Sequence, residues 1–318
     1  MTPEFDLINR YFTRPAKHAI LGIGDDAALL RVSSGTALAV SVDTLVSGHH
    51  FEIFSDARSI GYKSLAVNLS DMAAMGAVPR WATLALTLPI IDSGWLSGFA
   101  EGFFMLADES GVELVGGDTT AGPLAVTVQV MGEVLPEIAL RRDGALPGDD
   151  IWVSGTLGDA AAALAIRQGR CRLEGAQRLK LERKLDWPQP RLLLGLKLRG
   201  LAHAAIDISD GLLADVGHIA ERSCIKAIIN VERLPRSTEI DALGDEQLIE
   251  ECQLSGGDDY ELCFAASPDS RDELARLSGS LGLMLTLIGS FASGEGVVLM
   301  RNNQEVNLPD SLGFDHFA

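Results

Sequence analysis

Residues 58–77, RSIGYKSLAVNLSDMAAMGA, are apolar or small at nearly every position. That pattern predicts a helix with no water-facing side, which belongs inside a protein. Its polar residues Ser64, Asn68 and Asp71 recur at i, i+4 and i+7 and form one narrow stripe that ends in a carboxylate. Asp71 is therefore expected to be at least partly buried. A buried carboxylate neutralises, pairs with a base or holds a metal, and no Lys or Arg follows it within a helical turn. Taken alone, Asp71 is better read as a helix-interior residue that reaches solvent or caps a neighbouring element.

The rest of the chain falls into two patterned halves. Residues 1–11 predict a short amphipathic helix, and LGIGDDAALL at 21–30 sets Asp25 and Asp26 in a Gly-x-Gly turn before an apolar run. Strands are predicted at 36–45, 80–88, 112–115 and 124–134, the last alternating cleanly, with a helix at 94–110 spaced by Trp95, Phe99, Phe103 and Leu106. Residues 136–150, rich in Gly, Pro and paired charges, break the pattern and mark a boundary between domains at 1–137 and 148–318. Beyond it come a strand at 151–154, helices at 159–168, 177–185 and 192–201, and the run AAIDISDGL at 204–212 leading into a helix that ends at Arg222. The helix at 177–185 stops at Trp187, Pro188, Gln189, Pro190. Further strands are predicted at 227–231, 260–265, 283–288 and 297–300, with a helix at 271–282. Mixed runs of this kind predict α+β halves rather than a regular parallel winding.

Composition agrees with two large cores, since 47% of the 318 residues are hydrophobic and 22% charged. No apolar run is long enough to span a bilayer and residues 1–14 lack the basic start of a signal peptide, so the expectation is a soluble, cytoplasmic protein. Cys171, Cys224, Cys252 and Cys263 are scattered, with no metal-binding spacing, and are expected to be buried and reduced. A net charge of -18 argues against a nucleic-acid or anionic-membrane partner.

Charge also changes the picture in a second way, because the acids gather beside small residues at the ends of apolar runs. Six segments place an Asp next to Gly, Ser or Thr: GIGDD (22–26), SVDT (41–44), NLSD (68–71), GGDTT (116–120), IDISDG (206–211) and SGGDD (255–259). Any one of them is more commonly a turn or helix cap, but their recurrence points to hard oxygen ligands for magnesium, manganese or calcium. The Gly-Gly segments let backbone N–H groups approach a phosphate. No G-x-x-x-x-G-K-[ST] loop occurs, and Gly22-Ile-Gly24 lacks the third glycine of a dinucleotide fingerprint. No nucleophilic triad is suggested by spacing. His18, His203, His218 and His316 are unremarkable in context, whereas His50 follows the SVDT strand in a Gly-containing loop, where a binding role and a structural one stand equally open.

GIGDD, SVDTLVSGHHF, YKSLAVNLSDMAAMGA, GGDTT, AIDISDGL, SGGDDYELCF and the terminal GFDHFA together resemble the thiamine-monophosphate kinase family, in that family's order and over essentially the whole chain. The family is similar to aminoimidazole ribonucleotide synthetase, selenophosphate synthetase and the hydrogenase-maturation dehydratase, ATP users without a P-loop. The resemblance implies an aminoimidazole ribonucleotide synthetase-like N-terminal α/β domain whose sheet pairs with a second subunit's to make a barrel, a C-terminal α+β domain after it, and hence a homodimer. It implies magnesium-dependent transfer of phosphate from ATP to thiamine phosphate, the last step of thiamine diphosphate biosynthesis, with no protein nucleophile. By the same resemblance several magnesium ions would be held by Asp26, Ser41, Val42 through its carbonyl, Asp43, Asp71, Asp118, Asp207 and Asp210, with Asp71, Asp118 and Asp210 central to catalysis. Gly117, Asp118, Arg142 and Ser209 would hold ATP, and His50, Asp258 and Phe314 thiamine phosphate. The family often has Glu where Asp258 stands and Tyr or Trp where Phe314 stands. Two other classes remain open: a metal-dependent phosphomonoesterase, because DISDG at 207–211 also looks like the D-x-x-D-G element of the inositol-monophosphatase group, and a non-catalytic cation-binding module.

Overall fold

The computed structural model describes residues 3–314. The chain divides into two compact units, Met1–Met72 with Ala77–Glu137, and Ala73–Gly76 with Ile138–Ala318.

In the first unit a helix α1 (Pro3–Tyr11) precedes β1 (Ala37–Val46), α2 (Ala57–Ala74), β2 (Val78–Leu88), α3 (Ser93–Ser110), β3 (Glu113–Ala121) and β4 (Ala125–Val134). The four strands lie in the order β1-β4-β2-β3, antiparallel except for the parallel pair β2–β3. β3 runs through the whole GGDTT segment to Ala121, whereas the sequence pattern predicts a strand ending at Val115. Pairing with β2 from Thr83 to Leu88 supplies the ladder that local composition does not.

α2 is buried along almost its whole length, with Leu65, Leu69 and Met72 sealed from water. α3 is set by its cap: Asp92 Oδ1 accepts from Gly94 N at 2.8 Å and Trp95 N at 3.0 Å. Its face carries Trp95 stacked on Phe99 and Phe99 stacked on Phe103, at centroid distances of 5.2 and 6.4 Å. The two helices cross at glycines. A Cβ on Gly61 would lie 2.0 Å from Phe99 O, and one on Gly102 1.8 Å from Arg58 O. Only a residue without a side chain allows that backbone approach.

The sheet is covered on one face and bare on the other. Ser41 and Asp43 register with the buried Val130 and Val128 on the covered side. On the opposite face of the edge strand Leu38, Val40 and Val42 are 42%, 51% and 58% exposed.

The second unit carries β5 (Asp150–Ser154), α4 (Asp159–Arg167), α5 (Gly175–Asp186), α6 (Leu192–Leu198), β6 (Ala202–Asp207), α7 (Leu212–Arg222), β7 (Lys226–Asn230), α8 (Thr238–Asp241), α9 (Glu246–Ser255), β8 (Leu262–Ala266), α10 (Arg271–Leu281), β9 (Leu285–Ala292), β10 (Gly296–Arg301) and β11 (Gln304–Val306). Its seven strands lie in the order β11-β10-β7-β9-β5-β8-β6, with β7–β10 the parallel pair. α7 packs on one side of the sheet through Leu213, Val216 and Ile219. Leu194, Leu198 and Leu274 join Trp152 and Phe264 in a separate cluster, and α4, α5 and α9 make a third around Ala163, Leu181, Leu185 and Ile249. α9 has no counterpart among the predicted elements, since EQLIEECQLS shows only four apolar positions. Asp245 caps it, accepting from Leu248 N at 3.1 Å.

The cysteines do not all behave as expected. Cys252 and Cys263 are buried, and burial pushes the Cys252 thiol up to about 12, whereas Cys224 is exposed in the turn after α7 and Cys171 is half-buried.

The helix crossing is testable. Gly102→Ala should cost about 1–3 kcal/mol, the range for inserting a methyl group into a packed contact, while Gly279→Ala in α10, where an added Cβ meets nothing within 4 Å, should be neutral or stabilising by up to about 1 kcal/mol. Chemical denaturation of the two variants compares them directly.

Candidate functional site

In the first unit the predicted ligands are distributed rather than gathered. The hydroxyl of Ser41 on β1 donates to Asp71 Oδ2 on α2, so these two meet. The helical stripe below them is tied to backbone, Ser64 Oγ donating to Gly61 O at 2.9 Å and Asn68 Nδ2 to Ser64 O at 3.2 Å. Asn68 Oδ1 is left buried without a hydrogen-bond partner. Asp71 itself is half-buried, as its place on the helix implies.

Asp43, two residues on, shares the covered face with Ser41. The row Asp43–Val128–Leu84–Gly117 crosses all four strands, which separates Asp43 from Gly117 by roughly 14 Å at normal strand spacing. Asp118 pairs with Ala85, which pairs with Thr127 opposite Thr44, so Asp118 lies on the bare face, away from Ser41 and Asp43. Gly117 has a structural reason to be glycine, because a Cβ there would stand 1.9 Å from Leu84 O. Val42 is exposed on the edge strand and Asp26 is exposed in the turn between Leu21 and Leu29. His50 Nδ1 accepts from Val46 N at 3.1 Å, which puts the proton of the neutral ring on Nε2, away from its own backbone.

The second unit concentrates its candidates. Asp207 ends β6, buried, and the chain turns through Ile208–Gly211 into α7. Asp258 N donates to Ser209 O at 2.8 Å, Tyr260 N to Ile208 O at 2.8 Å, and Phe314 N to Asp210 O at 2.8 Å. Asp258 and Phe314, predicted from separate motifs, are thus laced by main-chain bonds to the turn that carries Ser209 and Asp210. Asp258 and Tyr260 both sit at positive φ, 70° and 50°, and Tyr260 Oη donates to Asp258 Oδ1 at 2.9 Å. Strain of this kind persists only where surrounding bonds enforce it, and it clusters at functional sites. Phe314 is 53% exposed. Arg142 is exposed as well, and its carbonyl accepts from Ser223 Oγ at 3.0 Å.

One residue that matters here escaped the motif reading. Asp215, buried in the first turns of α7, turns back so that Oδ2 accepts from the N–H groups of Ser209, Asp210 and Gly211 at 3.0, 3.2 and 3.2 Å. Burial, and then the charge of Asp210, push its carboxyl up to about 7 against the pull of those three N–H groups. The signal was the spacing: a carboxylate four residues after the turn glycine, on an otherwise apolar helix start, reaches back to the free N–H groups of that helix.

The donors are of the kind that a hard divalent ion takes, carboxylate and hydroxyl oxygens without thiolates. Among the described residues, however, no group of three or more His, Cys, Asp or Glu side chains is gathered closely enough to hold a metal ion. The candidate ligands belong to both units, Asp26, Ser41, Val42, Asp43, Asp71 and Asp118 to the first and Asp207 and Asp210 to the second.

Comparison with known proteins fits this arrangement. Residues 24–134 match the family AIR synthase related protein, N-terminal domain, and residues 147–302 match AIR synthase related protein, C-terminal domain. Fold and site therefore define a two-domain protein of the AIR synthase related class. A thiamine-monophosphate kinase of Escherichia coli K12 is 46% identical over 99% of this chain and 98% of its own length. A solved thiamine-monophosphate kinase from Stenotrophomonas maltophilia K279a superposes with a TM-score of 0.86 at 51% identity, covering 91% of this chain and 92% of that one. AaThiL complexed with AMPPCP and TMP superposes at 0.80 with 31% identity, covering 90% and 89%. The chain belongs to the thiamine-monophosphate kinase family.

Asp215→Leu should strand the three turn N–H groups and cost about 1–3 kcal/mol, lowering Tm by roughly 2–10 °C for a unit of this size. Asp215→Asn, which keeps an acceptor oxygen, should cost less than half as much. Equal melting shifts in the two variants would show that the hydrogen bonds do not hold the turn.

Proposed function

We propose that the chain transfers the terminal phosphoryl group of ATP to thiamine phosphate, yielding ADP and thiamine diphosphate. The observation that carries this reading, beside the full-length likeness to thiamine-monophosphate kinases, is the turn at Ile208–Gly211, which carries Ser209 and Asp210 and to which Asp258 and Phe314 are bound by backbone hydrogen bonds. AaThiL binds an ATP analogue and TMP together, the pair of ligands such a site needs.

The chemistry asks for alignment and charge compensation rather than a protein nucleophile. A phosphate monoester has its second pKa at about 6, so the acceptor oxygen of thiamine phosphate is already anionic at neutral pH. That oxygen forms a bond to the terminal phosphorus of ATP as the bond to the bridging oxygen breaks, and ADP leaves with the electron pair. No general base is required. Gly117, Asp118, Arg142 and Ser209 orient ATP in this scheme. His50, through Nε2, Asp258 and the Phe314 ring orient thiamine phosphate, whose cationic thiazolium suits a carboxylate beside an aromatic face. The absence of the hydroxyl that a family Tyr would carry leaves the stacking face of Phe314 intact. Several magnesium ions, held by Asp26, Ser41, the Val42 carbonyl, Asp43, Asp71, Asp118, Asp207 and Asp210, would neutralise the phosphate oxygens that otherwise repel one another. Asp71, tethered by Ser41, has its carboxylate held in place before any ion arrives.

The bare face of the first unit's sheet supports a homodimer in this scheme. Leu38, Val40 and Val42 on the edge strand are more exposed than a lone sheet tolerates without risk of association. A cytoplasmic setting suits both the ATP requirement and four cysteines none of which is paired. Residues 1–137 and 148–318 are the natural folding domains in this reading. No helix among the described residues is long and apolar enough to cross a membrane.

Incubation of the full chain with ATP, magnesium and thiamine phosphate should give ADP and thiamine diphosphate in equal amounts, measured by a coupled ADP assay and chromatography. Phosphate released from thiamine phosphate without ATP would establish a phosphomonoesterase instead, and cation binding with no turnover a non-catalytic module. Asp71→Asn should lower kcat by about 10²- to 10³-fold, as for loss of one preorganised charge at a reacting group, with its melting curve unchanged.

Sedimentation should give a species of twice 33.9 kDa, and Val40→Asp, which sets a charge in the bare apolar face, should shift it toward the monomer.

A further inference from the structure

A cavity of about 380 Å³ opens in the second unit between the N-terminus of α4, the last turns of α5, Trp187–Gln189 and the start of α8. Its volume falls within the range of small-molecule sites. None of the residues assigned above to metal, ATP or thiamine phosphate lines it.

Its charges sort into two groups. The carboxylates are occupied. Asp159, 2% exposed, accepts from Thr156 Oγ1 at 2.6 Å and from Ser237 Oγ at 2.5 Å, and burial raises its pKa from the usual carboxylate range. Glu239 accepts from Lys180 Nζ at 2.6 Å. The cations Arg183 and Lys184 are not occupied: both are exposed, and neither makes a hydrogen bond or ion pair from its side chain among the described residues. Lys184 acts on Asp159 and Asp259 only through space. Their neighbours on the same helix behave differently, Arg178 pairing with Glu182 at 3.0 Å and Arg167 of α4 with Asp186. In a chain of net charge -18, two cations that line a cavity and make no ion pair among the described residues mark a place for an anion.

The rest of the lining specifies what the anion is attached to. Trp187 adds aromatic surface to the lining. The hydroxyls of Thr156 and Ser237 spend their protons on Asp159; Ser237 Oγ already accepts from Ile240 N at 3.0 Å, and the lone pairs that remain on the two oxygens can accept from an amino group. The Gln189 side-chain amide adds a donor and an acceptor.

We propose that this cavity is a second ligand site, which binds a diphosphate ester of an amino-substituted heteroaromatic ring. ADP and thiamine diphosphate, the two products of the proposed reaction, share that chemistry, so the choice of ligand rests on the proposed function while the class rests on the cavity alone. Arg183 and Lys184 take the diphosphate, Trp187 stacks the ring, and Thr156 and Ser237 receive its amino group. The floor of the cavity lies one hydrogen bond from a candidate substrate contact, because Gly158 N, next to Asp159, donates to the carboxylate of Asp259 at 2.9 and 3.1 Å, and Asp259 follows Asp258 in the chain. A product bound here would sit beside the element that carries Asp258.

Equilibrium dialysis of the full chain with magnesium, in separate arms for labelled ADP and labelled thiamine diphosphate, tests the site. The parent should bind two equivalents per chain of at least one product, and the arm that shows two identifies the ligand. The double variant Arg183→Glu, Lys184→Glu should bind one, its second equivalent weakened at least about tenfold, the factor expected for loss of a charged hydrogen bond. Its initial-rate kcat and KM should match the parent's. Trp187→Leu should weaken the same equivalent if the double variant does not fold. One equivalent of each product in the parent overturns the site, as does displacement of the second equivalent equally well by inorganic pyrophosphate, which would show an adventitious anion only. Absence of kinase turnover with a second equivalent still lost in the variant would overturn the proposed reaction and leave the cavity standing.

Discussion

The burial of α2 is the constraint on which the first unit depends. A helix with no polar face has to be covered on all sides, and α3 covers one of them at backbone distance because Gly61 and Gly102 carry no side chains. The sheet covers another. Met72 Sδ would stand 2.9 Å from a Cβ on Gly132 of β4, and Asp71 in the same turn meets the Ser41 hydroxyl of β1. Packing thus decides where the carboxylate goes. It also decides which side of the sheet stays bare, since both long helices are committed and nothing else in the unit screens Leu38, Val40 and Val42.

The second unit solves a different problem, that of holding an irregular turn rigid between a strand and a helix. Free N–H groups at the start of α7 need acceptors, and Asp215 supplies one oxygen to three of them. The turn's carbonyls are used as well, those of Ile208, Ser209 and Asp210 accepting from Tyr260, Asp258 and Phe314. Bonds on both sides leave the side chains of Ser209 and Asp210 as the groups not consumed by holding the backbone. The positive φ at Asp258 and Tyr260 is the conformational cost of bringing a second acidic segment against the first.

Acidity serves several ends in this molecule. Some carboxylates are structural: Glu261, buried beside Ser154, is met by Arg191 through Nε at 2.6 Å, and Asp150 is forked by Arg271 at 2.6 and 2.7 Å. A buried pair of that kind is costly to break rather than a large net source of stability. Others, such as Asp26 in a turn and Asp118 within β3, are exposed and make no ion pair among the described residues. The excess of 44 acids over 26 bases is therefore partly structural and partly surface.

Local pattern was enough to predict most elements of both units, because apolar spacing reports which face a segment buries regardless of what covers it. The helix around Asp71, the strand carrying Ser41 and Asp43, and the change of pattern at residues 136–150 were legible on that ground, and the family was legible from motifs spread along the whole chain. Other features depended on partners distant in sequence. β3 extends through Gly116–Thr120 because β2 pairs with it, and α9 forms because its few apolar residues meet α4 and α5. Cys224 is exposed because the chain turns there at positive φ. Asp118 falls on the face opposite Ser41 and Asp43 because register, which no single strand encodes, sets which side each residue takes. The sequence by itself determined which residue types were available for the chemistry. The tertiary structure decided which of them meet, since hydrogen bonds such as those joining Asp258 and Phe314 to one turn exist only after segments far apart in the chain have packed together.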